Sequence, residues 1–509
     1  MNQRFNKYCP YRWWVTWPSI CYVIFVTVFE IVGYGDYHIN WNFLYFLDRE
    51  LLKESPIETI FYMHSQPPLF NCIAAIILKV SSLLGVRDVY LFVVYHFAVG
   101  MLAIVLLYRV VFLVTDSLCV SRISIGVVLL DPAFHIFQRE LYYPLTLFSL
   151  IVLMLFLYIK FLKVQKVGYL ISAFFVIVTL VNMRSLYHPV WAIANIGVML
   201  FLFQISNKDK HSLKLKAVYI SMPILFALLI IWPIKNKLLF DKFTFSTWTG
   251  FNLSRIPMGP KSWENTELFD FFKDGTVPAR TQLHIHQLKN RLNVSSIKIL
   301  EGEYINEGTR WKRKNWNHYV FIDTQKPLVR ETIQWRLKNP VLYLKSTVKH
   351  YFHWVRPTYS FTNPGPIRNA FNLSDLGLKY AETHQGILFF DFNEWIHVSN
   401  IYPFTIYGLI LLPLLFFMSI YLIYYKWITR SEGDGVGFSI LTISTLNFFW
   451  VFIIPCLTDG YEGNRMRFAV TPCQLVMIII VVQHYINVID ANFSTKFSFC
   501  ERGKCGDII

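Results

Sequence analysis

An all-α polytopic membrane protein is the fold class this sequence predicts, on three observations. Of 509 residues, 54% are hydrophobic and only 16% charged, where an ordinary soluble domain carries about a quarter charged. Apolar runs long enough to cross a bilayer recur along the chain, as at 144–162 and 438–456. Between them lysine and arginine gather in short clusters, such as Lys160, Lys163 and Lys166 or Lys208, Lys210, Lys214 and Lys216, the pattern of cytoplasmic anchors. A soluble cytosolic enzyme is excluded. The net charge of +16 needs no nucleic acid to explain it, because the cations sit where a lipid bilayer orients them.

Ten candidate spans follow in order: 13–33, 89–114, 121–137, 144–162, 167–185, 187–205, 217–234, 402–425, 438–456 and 468–488. The first has the basic start Arg4, Lys7 and Arg12 and no small-residue cleavage site behind it, so it reads as a retained anchor. An eleventh apolar stretch, 68–86, carries Lys79 and follows Pro67-Pro68. If it crossed, the clusters at 160–166 and 208–216 would face outward, against the positive-inside bias. It is therefore expected to lie in the outer interface as an amphipathic helix, which leaves both termini cytoplasmic.

That parity puts residues 34–88, turns near 138–143, 184–188 and 457–467, and a large loop 235–401 on the outer face. Three parts result: a membrane module 1–234, the loop domain 235–401, and the last spans with a cytoplasmic tail, 402–509. Within the loop, Leu328–Phe352 is amphipathic. None of the eight cysteines falls in the loop, so no disulfide framework holds it, and Cys500 and Cys505 lack the companions of a zinc site. Sequons at Asn252, Asn293 and Asn372 all fall in the loop, which fits an endoplasmic reticulum membrane; a bacterial plasma membrane fits the rest equally. There is no internal repeat of the kind transporters show, though a transporter is the competing class.

Apart from the basic clusters on the cytoplasmic side, the conspicuous polar residues at the membrane edges all fall on one face. They are Asp36, His64, Arg139 with Glu140, Arg184 with His188, and Glu462 with Arg465 and Arg467. Such groups cost several kcal/mol in apolar surroundings, so their convergence marks a candidate site. Blander roles exist for each: His64 as a helix cap, Arg139 and Glu140 as partners of each other, Arg465 and Arg467 as lipid-headgroup anchors. Asn182, inside a span, suits an interhelical hydrogen bond.

The order of these features resembles the GT-C superfamily of membrane glycosyltransferases, and within it the branch of protein O-mannosyltransferases and lipid A aminoarabinose transferases. Pro67-Pro68-Leu69-Phe70 sits where that family has its Pro-Pro-Leu-aromatic motif. Asp36 lies in the loop that holds its catalytic aspartate, and Glu140, with Pro144 after it, at the second acidic position, usually an aspartate closely followed by proline. The stretch Tyr461–Phe468, with Glu462, Arg465 and Arg467, resembles the family's Arg-containing turn. Here Asp36 is followed by Tyr37 rather than by a second acid, and the next carboxylates, Asp48 and Glu50, fall in the following helix.

The resemblance implies a GT-C-like fold and an enzyme that takes a sugar from a polyprenyl-phosphate donor, with inversion at the anomeric carbon, and delivers it to an acceptor the sequence does not name. Such chemistry asks for a carboxylate base and for donors to the leaving phosphate. Asp36 suits the base, Glu140 an orienting role or a divalent cation if one is used, and Arg184, His188, Arg465 and Arg467 the phosphate. His64 and Glu462 join the substrate-binding set.

Overall fold

The computed structural model describes residues 13–31, 39, 41, 46–206, 212–258, 270–271, 276–302, 304–305, 313–355, 410–429, 435–458 and 463–502. Among the described residues the regular structure is helical apart from one two-residue strand pair. Six helices among them are long and apolar enough to cross a membrane, or seven if one bent pair is a single span. They are α5 (Asp88–Thr115), α8 (Tyr143–Val164), the 218–240 part of α11 (Ser212–Phe240), α17 (Leu412–Thr429), and most of α18 (Gly435–Thr458) and α19 (Gly463–Arg502). Of the remaining expected spans, α1 (Trp13–Ile31), α9 (Val167–Met183) and α10 (Pro189–Ser206) are shorter apolar helices.

The expected span 121–137 is broken. α6 (Leu118–Leu129) and α7 (Pro132–Arg139) meet at a 59° bend. The cause is Asp131-Pro132: the Asp131 carboxylate accepts from the Ala133 N–H at 2.9 Å, and proline at the first helical position starts a new helix in a new direction. At the far end of α8, Lys163 pairs with Asp116 at 3.7 Å, across the ends of α5 and α8. That basic end lies opposite the one where α7 turns over.

Two short helices, α2 (Arg49–Glu54) and α3 (Pro56–Phe61), lead to α4 (Leu69–Leu84). α4 stops at Gly85, whose φ of 64° is the left-handed turn that glycine adopts without strain. Phe70, at its start, packs edge-on against Tyr142 and Tyr143. Just beyond its far end, Asp88 accepts from Arg49 Nε of α2 at 2.9 Å. Two turns into α5, His96 Nε2 donates to the Tyr142 carbonyl at 2.8 Å, which puts Asp88 about 12 Å beyond Tyr142 along the helix. Both ends of α4 therefore lie at or beyond the end of the bundle where α8 begins. The helix runs across that end, with Ile76, Leu83 and Leu84 exposed along it.

α11 continues through Phe240, so the boundary expected at 234/235 moves six residues on. After it comes a lobe, which contains α12 (Thr249–Met258), α13 (Ala279–Leu292), α14 (Lys298–Glu301), the paired strands β1 (Tyr304–Ile305) and β2 (Arg313–Lys314), α15 (Val320–Lys338) and α16 (Pro340–Val355). The amphipathic stretch Leu328–Phe352 is thus two helices, divided at Asn339-Pro340 because proline cannot continue the first. Trp248, Phe251, Trp316 and Phe321 form the lobe's aromatic core. α16 ties it to the bundle, where Trp354 Nε1 donates to the Val451 carbonyl at 3.0 Å.

Polar ties inside the bundle set helix neighbours. Trp191 Nε1 donates to Asn447 Oδ1 at 3.0 Å, and Asn447 Nδ2 to Asn195 Oδ1 at 2.8 Å, which joins α10 to α18. Asn182 reaches the Leu228 carbonyl of α11 at 3.4 Å, the interhelical bond its position suggested. In apolar surroundings few alternative partners exist, so such bonds fix register.

Candidate functional site

A cavity of about 330 Å³ opens at the lobe end of the bundle. Four segments meet to form it. The α9–α10 turn supplies Arg184, Ser185 and His188; the start of the lobe supplies Ser246, Thr249 and Asn252; the end of α18 supplies Trp450 and Ile454; and Met466 comes from the start of α19. Among the described residues no carboxylate is in its lining.

Arg184 is almost fully buried and its guanidinium lies 4.6 Å above the Tyr143 ring, which holds the cation in place from below. His188 Nδ1 accepts from the Val190 N–H at 3.3 Å. A neutral His188 consequently carries its proton on Nε2 and offers a donor. Hydroxyls from Ser185, Ser246 and Thr249 share the lining with Leu186, Phe245, Trp450 and Met466. Those hydroxyls donate within the protein, to Gln66 Oε1 and to the Ser65 and Ser246 carbonyls, which leaves the Arg184 cation and the His188 donor beside apolar walls, a combination that suits an amphipathic anion.

The lobe side is positioned by a clamp. His64 is fully buried, its Nδ1 lies 2.7 Å from Thr247 Oγ1, and its Nε2 lies 2.8 Å from the Asn317 carbonyl oxygen. The neighbouring Ser246 hydroxyl donates to the Ser65 carbonyl. Both ring nitrogens of His64 are committed to protein, so it neither caps α4 nor lines the cavity: it anchors the 244–249 loop that does. Burial, together with the nearby Lys235 ammonium, holds its imidazole well below the ordinary histidine range. Lys235 itself donates to the Met63 carbonyl and lies 3.6 Å over the Trp232 ring.

The other expected residues separate. Arg139 and Glu140 are not simply each other's partner, because Arg139 makes an ion pair with Glu30 at the end of α1. Glu140 ends α7, its backbone N–H 2.8 Å from the Ile136 carbonyl. Arg467 is 3% exposed, donates to the Val355 carbonyl at 2.9 Å and faces Trp354. It is thereby turned toward α16, while its neighbour Met466 lines the cavity. Arg465 belongs to the first turn of α19, whereas Asp36 and Glu462 lie outside the described residues. Of the alternative first-loop carboxylates, Asp48 caps α2 through the Leu51 N–H at 2.9 Å and Glu50 pairs with Arg49.

Asp131 was missed in the sequence because it fell inside an expected span. It sits where α6 bends into α7, within the electrostatic reach of Arg467, and an Asp-Pro pair inside an apolar run is the signal that marks it. The hydroxyl-rich run Thr244-Phe245-Ser246-Thr247-Trp248-Thr249 was equally visible, directly behind a span. Among the described residues no group of three or more His, Cys, Asp or Glu side chains is placed to hold a metal ion. Compared with protein-family models, curated proteins and solved structures, the chain matches none.

Proposed function

We propose that this chain is a membrane glycosyltransferase of GT-C type. It moves a sugar from a polyprenyl-phosphate donor to an acceptor on the extracytoplasmic or lumenal side, with inversion. The observation that carries the reading is the cavity at the lobe end, where Arg184 and His188 stand among hydroxyls and apolar walls. A prenyl phosphate presents that combination of anionic head and apolar tail at a membrane surface. The guanidinium takes the phosphate oxygens and steadies the charge that develops on the leaving group. The His188 Nε2–H adds a neutral donor beside it.

Asp36, on the segment between α1 and α2, is the proposed base for the acceptor hydroxyl. Glu140, at the end of α7, orients the base or the acceptor. The acceptor proton passes to the Asp36 carboxylate as the acceptor oxygen bonds to the anomeric carbon, and the bond to the phosphate oxygen breaks on the opposite face. The departing group is the polyprenyl phosphate.

The test is to incubate purified protein with a panel of radiolabelled polyprenyl-phosphate sugars and ask which one turns over. Asp36→Asn should lower transfer by about 10²–10⁴-fold with donor binding kept. Loss in Asp48→Asn or Glu50→Gln with full activity in Asp36→Asn would move the base into α2. Normal transfer in all three variants, or turnover of no donor, would overturn the reading and favour a transporter.

A further inference from the structure

A second cavity, of about 420 Å³, lies at the far end of α4. It is formed between α2 and the α4–α5 turn, and its charged lining is Arg49, Lys53, Arg87 and Asp88. It shares no residue with the cavity at Arg184. Asn71, in the first turn of α4, lies beside Arg184, and Gly85 just past its last turn lines the second cavity, so most of the helix, about 20 Å, separates the two.

The charges there do not cancel. Arg49 is balanced by Asp88 at 2.9 Å and Glu50 at 2.6 Å. Lys53 and Arg87 make no ion pair among the described residues, although Lys53 is half-buried and Arg87 also approaches the Tyr90 ring at 5.7 Å. Ser82, which is exposed, belongs to the same lining, while Ser81 Oγ is used in closing the turn onto the Val86 carbonyl at 2.6 Å. Lys53, Arg87 and Ser82 therefore line one hollow whose own carboxylate is already engaged.

Its surroundings are apolar. Val80, Leu83, Leu84 and Val86, on or just after α4, are exposed beside the hollow. Exposed aliphatic side chains next to a cationic pocket are what a water–lipid boundary selects: acyl chains lie along the first and a charged headgroup enters the second. We infer that this cavity is a phosphate-recognising site, in which Lys53, Arg87 and Ser82 hold a phosphate ester presented by an anionic membrane lipid. Such a lipid would pin α4 and the α2–α4 segment to the membrane surface. The proposal stands independently of the glycosyl-transfer reading, since it uses none of that site's residues.

The experiment places the full chain in phosphatidylcholine nanodiscs doped with phosphatidic acid and counts retained lipids by native mass spectrometry. The wild type should retain phosphatidic acid over phosphatidylcholine. Lys53→Gln/Arg87→Gln should lower that occupancy about tenfold, as should Ser82→Asp, which keeps both cations and adds a negative charge. A second arm titrates lipid-free protein in detergent with inorganic phosphate, followed by phosphorus NMR. Phosphate binding that the variants abolish, without selective lipid retention, assigns the same site to a free phosphate. Retention of phosphatidic acid unchanged in both variants, or retention indifferent to the headgroup, overturns the proposal.

Discussion

His64 and Asn317 are joined by two hydrogen bonds across 253 residues of chain: the His64 backbone N–H donates to Asn317 Oδ1 at 3.0 Å, and His64 Nε2 donates to the Asn317 carbonyl at 2.8 Å. Since that carbonyl can only accept, Nε2 carries the proton and Nδ1 accepts from the Thr247 hydroxyl. One neutral imidazole thus joins the approach to α4, the start of the lobe and the lobe's interior.

This joint should be acid-sensitive. Burial holds His64 well below its ordinary 6.5 and pushes the neighbouring His318 down to about 4. A folded-state pKa below the unfolded one gives stability that is complete above about pH 6.5 and drains away as pH falls toward 4, because the unfolded chain takes up protons the folded one refuses. For His318 alone the loss approaches about 3 kcal/mol at the acid end. Thermal melts in detergent between pH 7.5 and 4 should show the decline, and His318→Gln should flatten part of it. A melting temperature constant over that range would count against the joint.

α12 and α15 touch backbone to side-chain position at Gly250. A Cβ there would come 2.5 Å from the Gln325 carbonyl oxygen and 3.1 Å from Leu328 Cβ. Neither is the end of a flexible side chain, so Gly250→Ala must push the helices apart and should cost about 1–3 kcal/mol. Limited proteolysis of the lobe would report it, with cleavage faster than in the wild type.

The pair between Glu30 and Arg139 ties α1 to α7. Arg139 is buried and Glu30 over a third exposed, which discounts the penalty for an unpaired charge. Glu30→Gln is expected to destabilise by about 1–2 kcal/mol, less than a fully buried pair would lose. In a double-mutant cycle with Arg139→Gln, the two losses should fail to add; strict additivity would mean the contact contributes nothing.

If the cavity holds the donor phosphate, Arg184→Lys should raise KM for the donor about tenfold while kcat changes less, because an ammonium replaces the guanidinium fork as a point charge. Removing His188 as a donor, by His188→Ala, should do the same more weakly. Steady-state kinetics with varied donor separates this from a folding defect, which would lower active fraction and leave KM alone.

Of the sequons, Asn293 is exposed at a left-handed turn after α13, with Ser295 exposed beside it. Asn252 belongs to α12, and its Ser254 is buried with its hydroxyl bonded to the Phe251 carbonyl at 2.8 Å. Expressed in a eukaryotic secretory membrane, Asn293→Gln should remove one glycosidase-sensitive band shift and Asn252→Gln none. A band shift lost in Asn252→Gln and kept in Asn293→Gln would overturn that assignment.

Composition and pattern were enough for the helical membrane class, because a bilayer leaves the chain few ways to satisfy its backbone and demands long apolar runs. The start of α4 was readable too, from the Pro67-Pro68 pair, a signal local in the chain. Tertiary structure decided what depends on distant partners. Nothing in the sequence tells that His64 meets Asn317, that Arg139 chooses Glu30, or that Arg467 turns to Val355 while Arg184 faces a cavity. Each of these polar groups had one requirement, a partner in surroundings with little water, and many residues could have met it. Which one did was settled only when packing brought the α9–α10 turn, the 244–249 loop and the ends of α18 and α19 together.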